Sequence, residues 1–129
     1  MINVSVLKQI NTGESLTAGF YVGGLTAKTV LIRAIGPTLA TAPFNISSAM
    51  PDPQLTLLNS SQQAVGANND WGGDSQLSST GTRVGAFAIA NAASKDAILL
   101  ITLAPGSYTA QISPVTTGGL AIVEVYEVP

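Results

Sequence analysis

The 129-residue chain contains no cysteine and no histidine. Without cysteine it can form neither a disulfide nor a thiolate centre. Without histidine it lacks the commonest general base and the commonest metal ligand in proteins. Its serines therefore have no imidazole to activate them as nucleophiles. We predict that the chain is not an enzyme.

Charge is also scarce. Asp, Glu, Lys and Arg make up 9% of the chain and the net charge is −2, whereas about 25% is typical of globular domains. Five basic residues cannot form the positive face that nucleic acid or anionic lipid requires. No apolar run reaches the length of about 18 residues that spans a bilayer, so we expect neither nucleic-acid binding nor membrane insertion.

The main pattern in the sequence is an apolar residue at every second position. Leu16, Ala18, Phe20 and Val22 alternate with polar or small residues, as in strands with one buried face. Lys28–Ile35 and Asp96–Leu103 are apolar on both faces, as expected of central strands. Glycine and proline occur at turns between the predicted strands. A single helical turn is expected within Ser75–Thr80. The pattern predicts one all-β domain over residues 1–129, with seven to nine strands in an antiparallel two-sheet sandwich and little helix.

Several segments together resemble a known type of module. They are Glu14–Gly23, Lys28–Leu39, Asp52–Leu58, Asn69–Trp71, Leu103–Ala110 and Leu120–Tyr126. In this order they look like a module of large secreted bacterial proteins that often occurs in tandem, and that module is similar to the pre-peptidase C-terminal domains of secreted proteases. The resemblance implies a jelly-roll sandwich and a location outside the cell or at its surface. It does not imply one ligand.

The only oxygen-rich cluster is a short loop that contains Asn68, Asn69, Asp70 and Asp74. Carboxylate and amide oxygens are the ligands that Ca²⁺ prefers, so these four residues are the candidate metal site. Asn and Asp also form turns by bonding their own backbone. We favour the turn, and therefore expect a fold without a cofactor, with Ca²⁺ as the alternative.

Two single residues have structural and functional interpretations. Trp71 is the only tryptophan; it either stacks on a sugar or, as we favour, plugs the end of the sandwich with its N–H bonded to backbone. Arg33 lies among apolar neighbours, where an unpaired charge is costly. We expect it to pair with Glu124 or Asp52 rather than to receive a ligand.

Two classes of function fit these features. The first is a structural module of a secreted fibre or cell-surface protein that associates with copies of itself or with neighbouring domains of a parent polypeptide. The second is a binding module that places a secreted enzyme or adhesin on a glycan or a protein. Scarce charge favours the first, because little repulsion opposes packing. The expected contacts are the edges of the first and last strands, at Ile2, Val4, Val6, Ile122, Val125 and Val128.

Overall fold

The computed structural model describes residues 3–129, which form eight β-strands, one α-helix and a 3-10 helix. The strands are β1 (Asn3–Ile10), β2 (Leu16–Val22), β3 (Lys28–Ile35), β4 (Pro53–Asn59), β5 (Ala64–Asn68), β6 (Ala97–Leu103), β7 (Gly106–Pro114) and β8 (Gly119–Val128). The helix α1 is Ser75–Val84 and the 3-10 helix is Pro37–Ala40. Within residues 3–129, no helix has the length and hydrophobicity that crossing a membrane requires.

The strands form two four-stranded antiparallel sheets. The order is β1-β8-β3-β6 in the first, sheet I, and β2-β7-β4-β5 in the second, sheet II. Strands β1 to β4 alternate one by one between sheet I and sheet II, and after β5 in sheet II the strands β6, β7 and β8 alternate again. This is the strand order of a jelly roll, and the predicted fold class is confirmed.

The main core lies between the sheets. Inward residues of sheet II, such as Leu16, Ala18 and Phe20, pack against inward residues of sheet I, such as Ile32 and Val123. These positions follow the alternation of the sequence, because successive residues of a strand point to opposite faces.

A second apolar layer lies on the outer face of sheet I. There Leu31 and Ile98 pack with Trp71, and Leu77 and Val84 of α1 lie against them. This layer explains why β3 and β6 are apolar on both faces. The interpretation of β6 as a central strand is wrong, because β6 is an edge strand of sheet I whose outer face contacts the segment around α1.

The helix is longer than the expected turn, because both ends are capped. The side chain of Asp74 accepts a hydrogen bond from the backbone N–H of Gln76, and Gly85 ends the helix in the left-handed conformation at φ 81°. Such caps stabilise a helix whose residues are poor helix formers. The Ser- and Thr-rich sequence of α1 therefore depends on its caps and on packing.

The last strand is not an edge. Both sides of β8 are hydrogen-bonded, to β1 on one side and to β3 on the other. The prediction that Ile122, Val125 and Val128 form an assembly edge is therefore wrong. The physical reason is the jelly-roll order, which places the last strand between the first and the third.

The sandwich has two distinct ends. Ala34 pairs with Ala97 at one end of sheet I, and Lys28 pairs with Leu103 at the other. The first, which we call the loop end, receives the long segments 36–52 and 85–96. The second, the hairpin end, carries the short segment 23–27 between β2 and β3.

Candidate functional site

Asp96 is the buried centre of the loop end. It is fully buried, and its Oδ1 accepts hydrogen bonds from the backbone N–H of Gly36 at 2.8 Å and of Thr38 at 3.3 Å. Its Oδ2 accepts from the hydroxyls of Thr38 and Ser94. One carboxylate thus joins the start of segment 36–52 to the end of segment 85–96.

Arg33 holds the other part of segment 85–96. Its Nε donates to Glu124 Oε1 at 2.8 Å, and its Nη1 donates to the backbone oxygen of Phe87, also at 2.8 Å. The guanidinium lies 4.6 Å from the centre of the Phe87 ring, within the range of a cation–π interaction. The expected pairing of Arg33 with an acid is confirmed, and the partner is Glu124.

Tyr126 completes this buried network. Its hydroxyl donates to Glu124 Oε2 at 2.9 Å. Burial, together with the nearby Glu124 carboxylate, raises the pKa of Tyr126 from 10.0 to about 12. The tyrosine therefore remains a neutral donor, and both oxygens of Glu124 are occupied.

Two phenylalanine rings stand over this network. Phe44, from segment 36–52, and Phe87 have ring centres 5.0 Å apart. Beside them lie two cavities of about 320 Å³ each, which share Thr38, Thr41, Ala42 and Ala90. We call the combined depression the end groove. It is lined by Pro37, Thr38, Thr41, Ala42, Pro43, Phe44, Phe87, Ala88, Ala90, Asn91 and Ser94.

The end groove is uncharged and lined mainly by apolar residues. None of its lining residues carries a charge. Three of its lining residues, Thr38, Ser94 and Phe87, are hydrogen-bonded to Asp96 or Arg33, which restricts these parts of the walls before any ligand arrives. Apolar, preformed depressions with a few polar groups are typical of binding sites.

Comparison with known proteins identifies the fold. No family model and no curated protein matches this chain. A solved structure that does match is the pre-peptidase C-terminal domain of a collagenase from Bacillus anthracis, with 14% identity and a TM-score of 0.57, over 96% of this chain and 89% of that one. The chain has a pre-peptidase C-terminal domain fold. A second match, at 18% identity and a TM-score of 0.44, is a family GH115 4-O-methyl-alpha-glucuronidase with specificity for decorated arabinogalactans, and it covers 95% of this chain but 14% of the enzyme.

On this pre-peptidase C-terminal fold, the candidate metal residues lie between β5 and α1. Asn68 Oδ1 accepts from the backbone N–H of Ile98 at 3.0 Å, and Asp74 Oδ1 caps α1. Asp70 is exposed, and Asn69 Oδ1 is buried without a hydrogen-bond partner among residues 3–129. Asp74 thus bonds the backbone of α1 and Asn68 that of β6, and both the turn interpretation and the Ca²⁺ alternative stay predictions.

Trp71 is buried, as we expected, but it lies in the layer between sheet I and α1 rather than as a plug between the two sheets. Its indole N–H donates to the side-chain hydroxyl of Ser94 at 3.1 Å rather than to backbone. Ser94 in turn donates to Asp96. The tryptophan therefore supports the end groove from below.

The free edges of the fold differ in exposure. Gly66 of β5 lies against the side chains of Leu99 and Ile101 of β6, so these two edges close one side of the sandwich. On the opposite side, β1 and β2 are open, and Leu7 is 55% and Tyr21 61% exposed.

Of the residues predicted for the first-strand edge, two lie in the described chain. Val4 packs partly on the core and Val6 is exposed. Ile2 lies outside the described residues.

Sequence reasoning missed the residues of the end groove. Phe44, Phe87 and Ala90 belong to segments in which apolar and polar residues do not alternate regularly. They lie close together because Asp96 and Arg33 join distant parts of the chain. The one available signal was Asp96 itself. A lone acid directly before the apolar run Ala97–Leu103 indicates a buried carboxylate that must have several donors.

Proposed function

We propose that this chain is a non-catalytic accessory module that works outside the cell or at its surface, by association with copies of itself or with neighbouring domains of a larger polypeptide. One observation carries the proposal. The four edge strands β1, β2, β5 and β6 contain one charged residue, Lys8, and no proline. Natural sandwiches ordinarily protect their edges with such residues.

The strand β2 is the least protected of the four edges. Its seven residues alternate regularly between buried and exposed, and they include neither a charge nor a proline. By contrast, β5 is interrupted by an irregularity in its pairing with β4, β6 lies against Gly66 of β5, and β1 carries Lys8. An exposed regular edge is a template for strand addition, in which backbone hydrogen bonds supply affinity.

A role outside catalysis is supported by the use of the carboxylates. Of the seven acidic residues, all except Asp70 have an assigned structural contact. Glu14 bonds the backbone of Asn11, and Glu127 pairs with Lys28 at 3.2 Å. Asp52 lies 4.0 Å from Lys95, while Asp74, Asp96 and Glu124 make the contacts described above.

The strand β1 contains one serine–lysine spacing that also occurs in some enzymes. Ser5 and Lys8 form a Ser-x-x-Lys pattern, which on other folds can pair a nucleophile with a base. Both lie in β1, where residues three positions apart point to opposite faces. Lys8 therefore cannot reach Ser5.

The test is sedimentation velocity of the purified chain over a wide range of concentration. We expect assemblies larger than a monomer. Thr17→Lys in β2 and Val6→Lys in β1 should weaken them, because lysine on an edge must be desolvated when a second strand is added. Thr117→Lys and Val115→Lys are the matched controls, since both residues are exposed in the β7–β8 turn.

A chain that stays monomeric at every concentration would overturn the proposal and favour a binding module. Equal effects of the edge and turn variants would show that added charge, rather than strand pairing, weakens the assembly.

A further inference from the structure

The hairpin end exposes one leucine almost completely. Leu25 lies in segment 23–27 and is 99% exposed, in a turn that Gly24 enters at φ +86°. Its neighbours Gly24, Thr26 and Ala27 are uncharged and exposed. The turn therefore presents a single apolar side chain, held away from the body of the sandwich.

The loop end, at the other end of the molecule, presents the end groove. The strand β3 joins the two ends, and its eight residues span about 26 Å at about 3.3 Å per residue. The groove is uncharged, like the turn, and each of its two parts has a volume of about 320 Å³. One end of the molecule thus carries Leu25, which we call the knob, and the opposite end carries the apolar end groove.

We propose that Leu25 of one copy inserts into the end groove of the next copy. This inference rests on the proposed self-association, and it names the contact that extends an assembly lengthwise. The interface joins two different surfaces, so each added copy leaves a free knob at one end and a free groove at the other. Such a head-to-tail contact builds an open filament unless its rotation closes a ring.

A second copy fits the groove for two reasons. Leu25 and the groove both lack charge, and Lys28, whose Nζ lies beside Gly24, is already paired with Glu127 at 3.2 Å, so the contact buries no unpaired ion. The groove walls are also fixed by the hydrogen bonds of Asp96, so an inserted side chain does not have to order them. The preformed groove limits the entropy that association loses.

The experiment uses two variants that each damage one half of the contact. Leu25→Glu places a charge on the knob, and Ala90→Glu places a charge in the groove. Both residues are exposed, so both variants should fold with an unchanged melting temperature. Each should weaken lengthwise association by about 10- to 100-fold, the factor that burial of one leucine supplies. Val115→Glu, in the β7–β8 turn outside the groove, is the control and should associate like the unmodified chain.

A mixture of the two variants gives the decisive result. The Leu25→Glu chain keeps an intact groove, and the Ala90→Glu chain keeps an intact Leu25. Mixed in equal amounts, both in a background that carries Thr17→Lys and Val6→Lys to suppress association through the edges, they should form dimers that contain one copy of each and cannot extend lengthwise. Sedimentation velocity and native mass spectrometry detect such capped dimers.

Three results would contradict the inference. A mixture without mixed dimers would overturn the contact between Leu25 and the groove. Single variants that associate like the unmodified chain would overturn that contact but leave self-association through the edges intact. An unmodified chain that is monomeric at every concentration would overturn both proposals.

Discussion

At the scale of single residues, the molecule depends on a few buried polar groups in an otherwise apolar interior. Asp96 accepts four hydrogen bonds, from two backbone N–H groups and two hydroxyls. Each donor would be left buried and unpaired without the carboxylate. A buried unpaired donor costs about 1–3 kcal/mol.

We therefore expect Asp96→Ala to lower the free energy of unfolding by at least about 3 kcal/mol, because several donors lose their acceptor together. Urea denaturation measures this change. Asp70→Ala removes an exposed acid from a nearby loop and should change the free energy by less than about 0.5 kcal/mol. Equal losses in the two variants would show that Asp96 does not hold the loop end.

The raised pKa of Tyr126 makes the free energy of unfolding depend on pH in the alkaline range. Its pKa is about 12 in the folded chain and 10.0 when unperturbed, so the unfolded chain releases this proton first. The stabilisation is complete below pH 10 and is lost as the pH rises from 10 towards 12. Unfolding measurements across this window should show a steeper decline for the unmodified chain than for Tyr126→Phe. Parallel curves for the two proteins would mean that the hydroxyl titrates normally.

At the scale of elements, the sequence predicts the strands that have a strict period. The alternation in β2 and β7 specifies their buried faces, because one face of each packs on the core. The strand β5 was missed: Gly66 interrupts its short run, and its residues are largely exposed. The length of α1 was missed because Ser and Thr are weak helix formers, and the helix depends on Asp74, Gly85 and contacts with sheet I.

The cap of α1 gives a test of the loop that contains the candidate metal residues. Asp74→Ala should cost about 1 kcal/mol of unfolding free energy, as loss of a helix N-cap does. Asp74→Asn should retain most of it, because an amide oxygen also accepts the hydrogen bond from Gln76. Thermal unfolding of the three proteins measures the difference. A cost as large for asparagine as for alanine would indicate that the negative charge is needed.

Removal of metal tests the same loop independently. We expect a chelator to leave the melting temperature unchanged, because Asn68 and Asp74 already bond backbone N–H groups. A decrease of more than about 10 °C would require a bound ion worth about 2 kcal/mol or more for a chain of this length. That result would make the Asn68–Asp74 loop a structural Ca²⁺ site.

At the scale of the whole molecule, periodicity shows which residues are buried but not which strands are neighbours. The sequence therefore predicted a two-sheet sandwich and its approximate number of strands, while the jelly-roll order came from the family resemblance. The position of β8 between β1 and β3 follows from that order, and no feature of Leu120–Val128 indicates it. The end groove was out of reach for the same reason, since its walls come from segments about 50 residues apart that only the completed fold brings together.

The scarcity of charge leads to a prediction about association of the whole chain. The cations Lys28 and Arg33 are paired within the molecule, and Arg83 donates to the backbone oxygen of Pro129. Lys8 is the only charged residue in the edge strands β1 and β2 and in the lining of the end groove. Salt screens interactions between charges but leaves backbone hydrogen bonds intact. It does not weaken the burial of apolar surface, which some salts strengthen.

We therefore expect association to change less than about threefold between low salt and 1 M NaCl, whereas contacts made by several exposed ion pairs weaken strongly as the Debye length falls to about 3 Å. Sedimentation velocity at matched concentrations in the two buffers measures this. The control is the Thr17→Lys chain, whose residual association should become salt-dependent, because its added edge charges repel each other less when they are screened. Assemblies of the unmodified chain that dissolve in 1 M NaCl would mean that its few charges, and not its edges and apolar ends, hold the copies together.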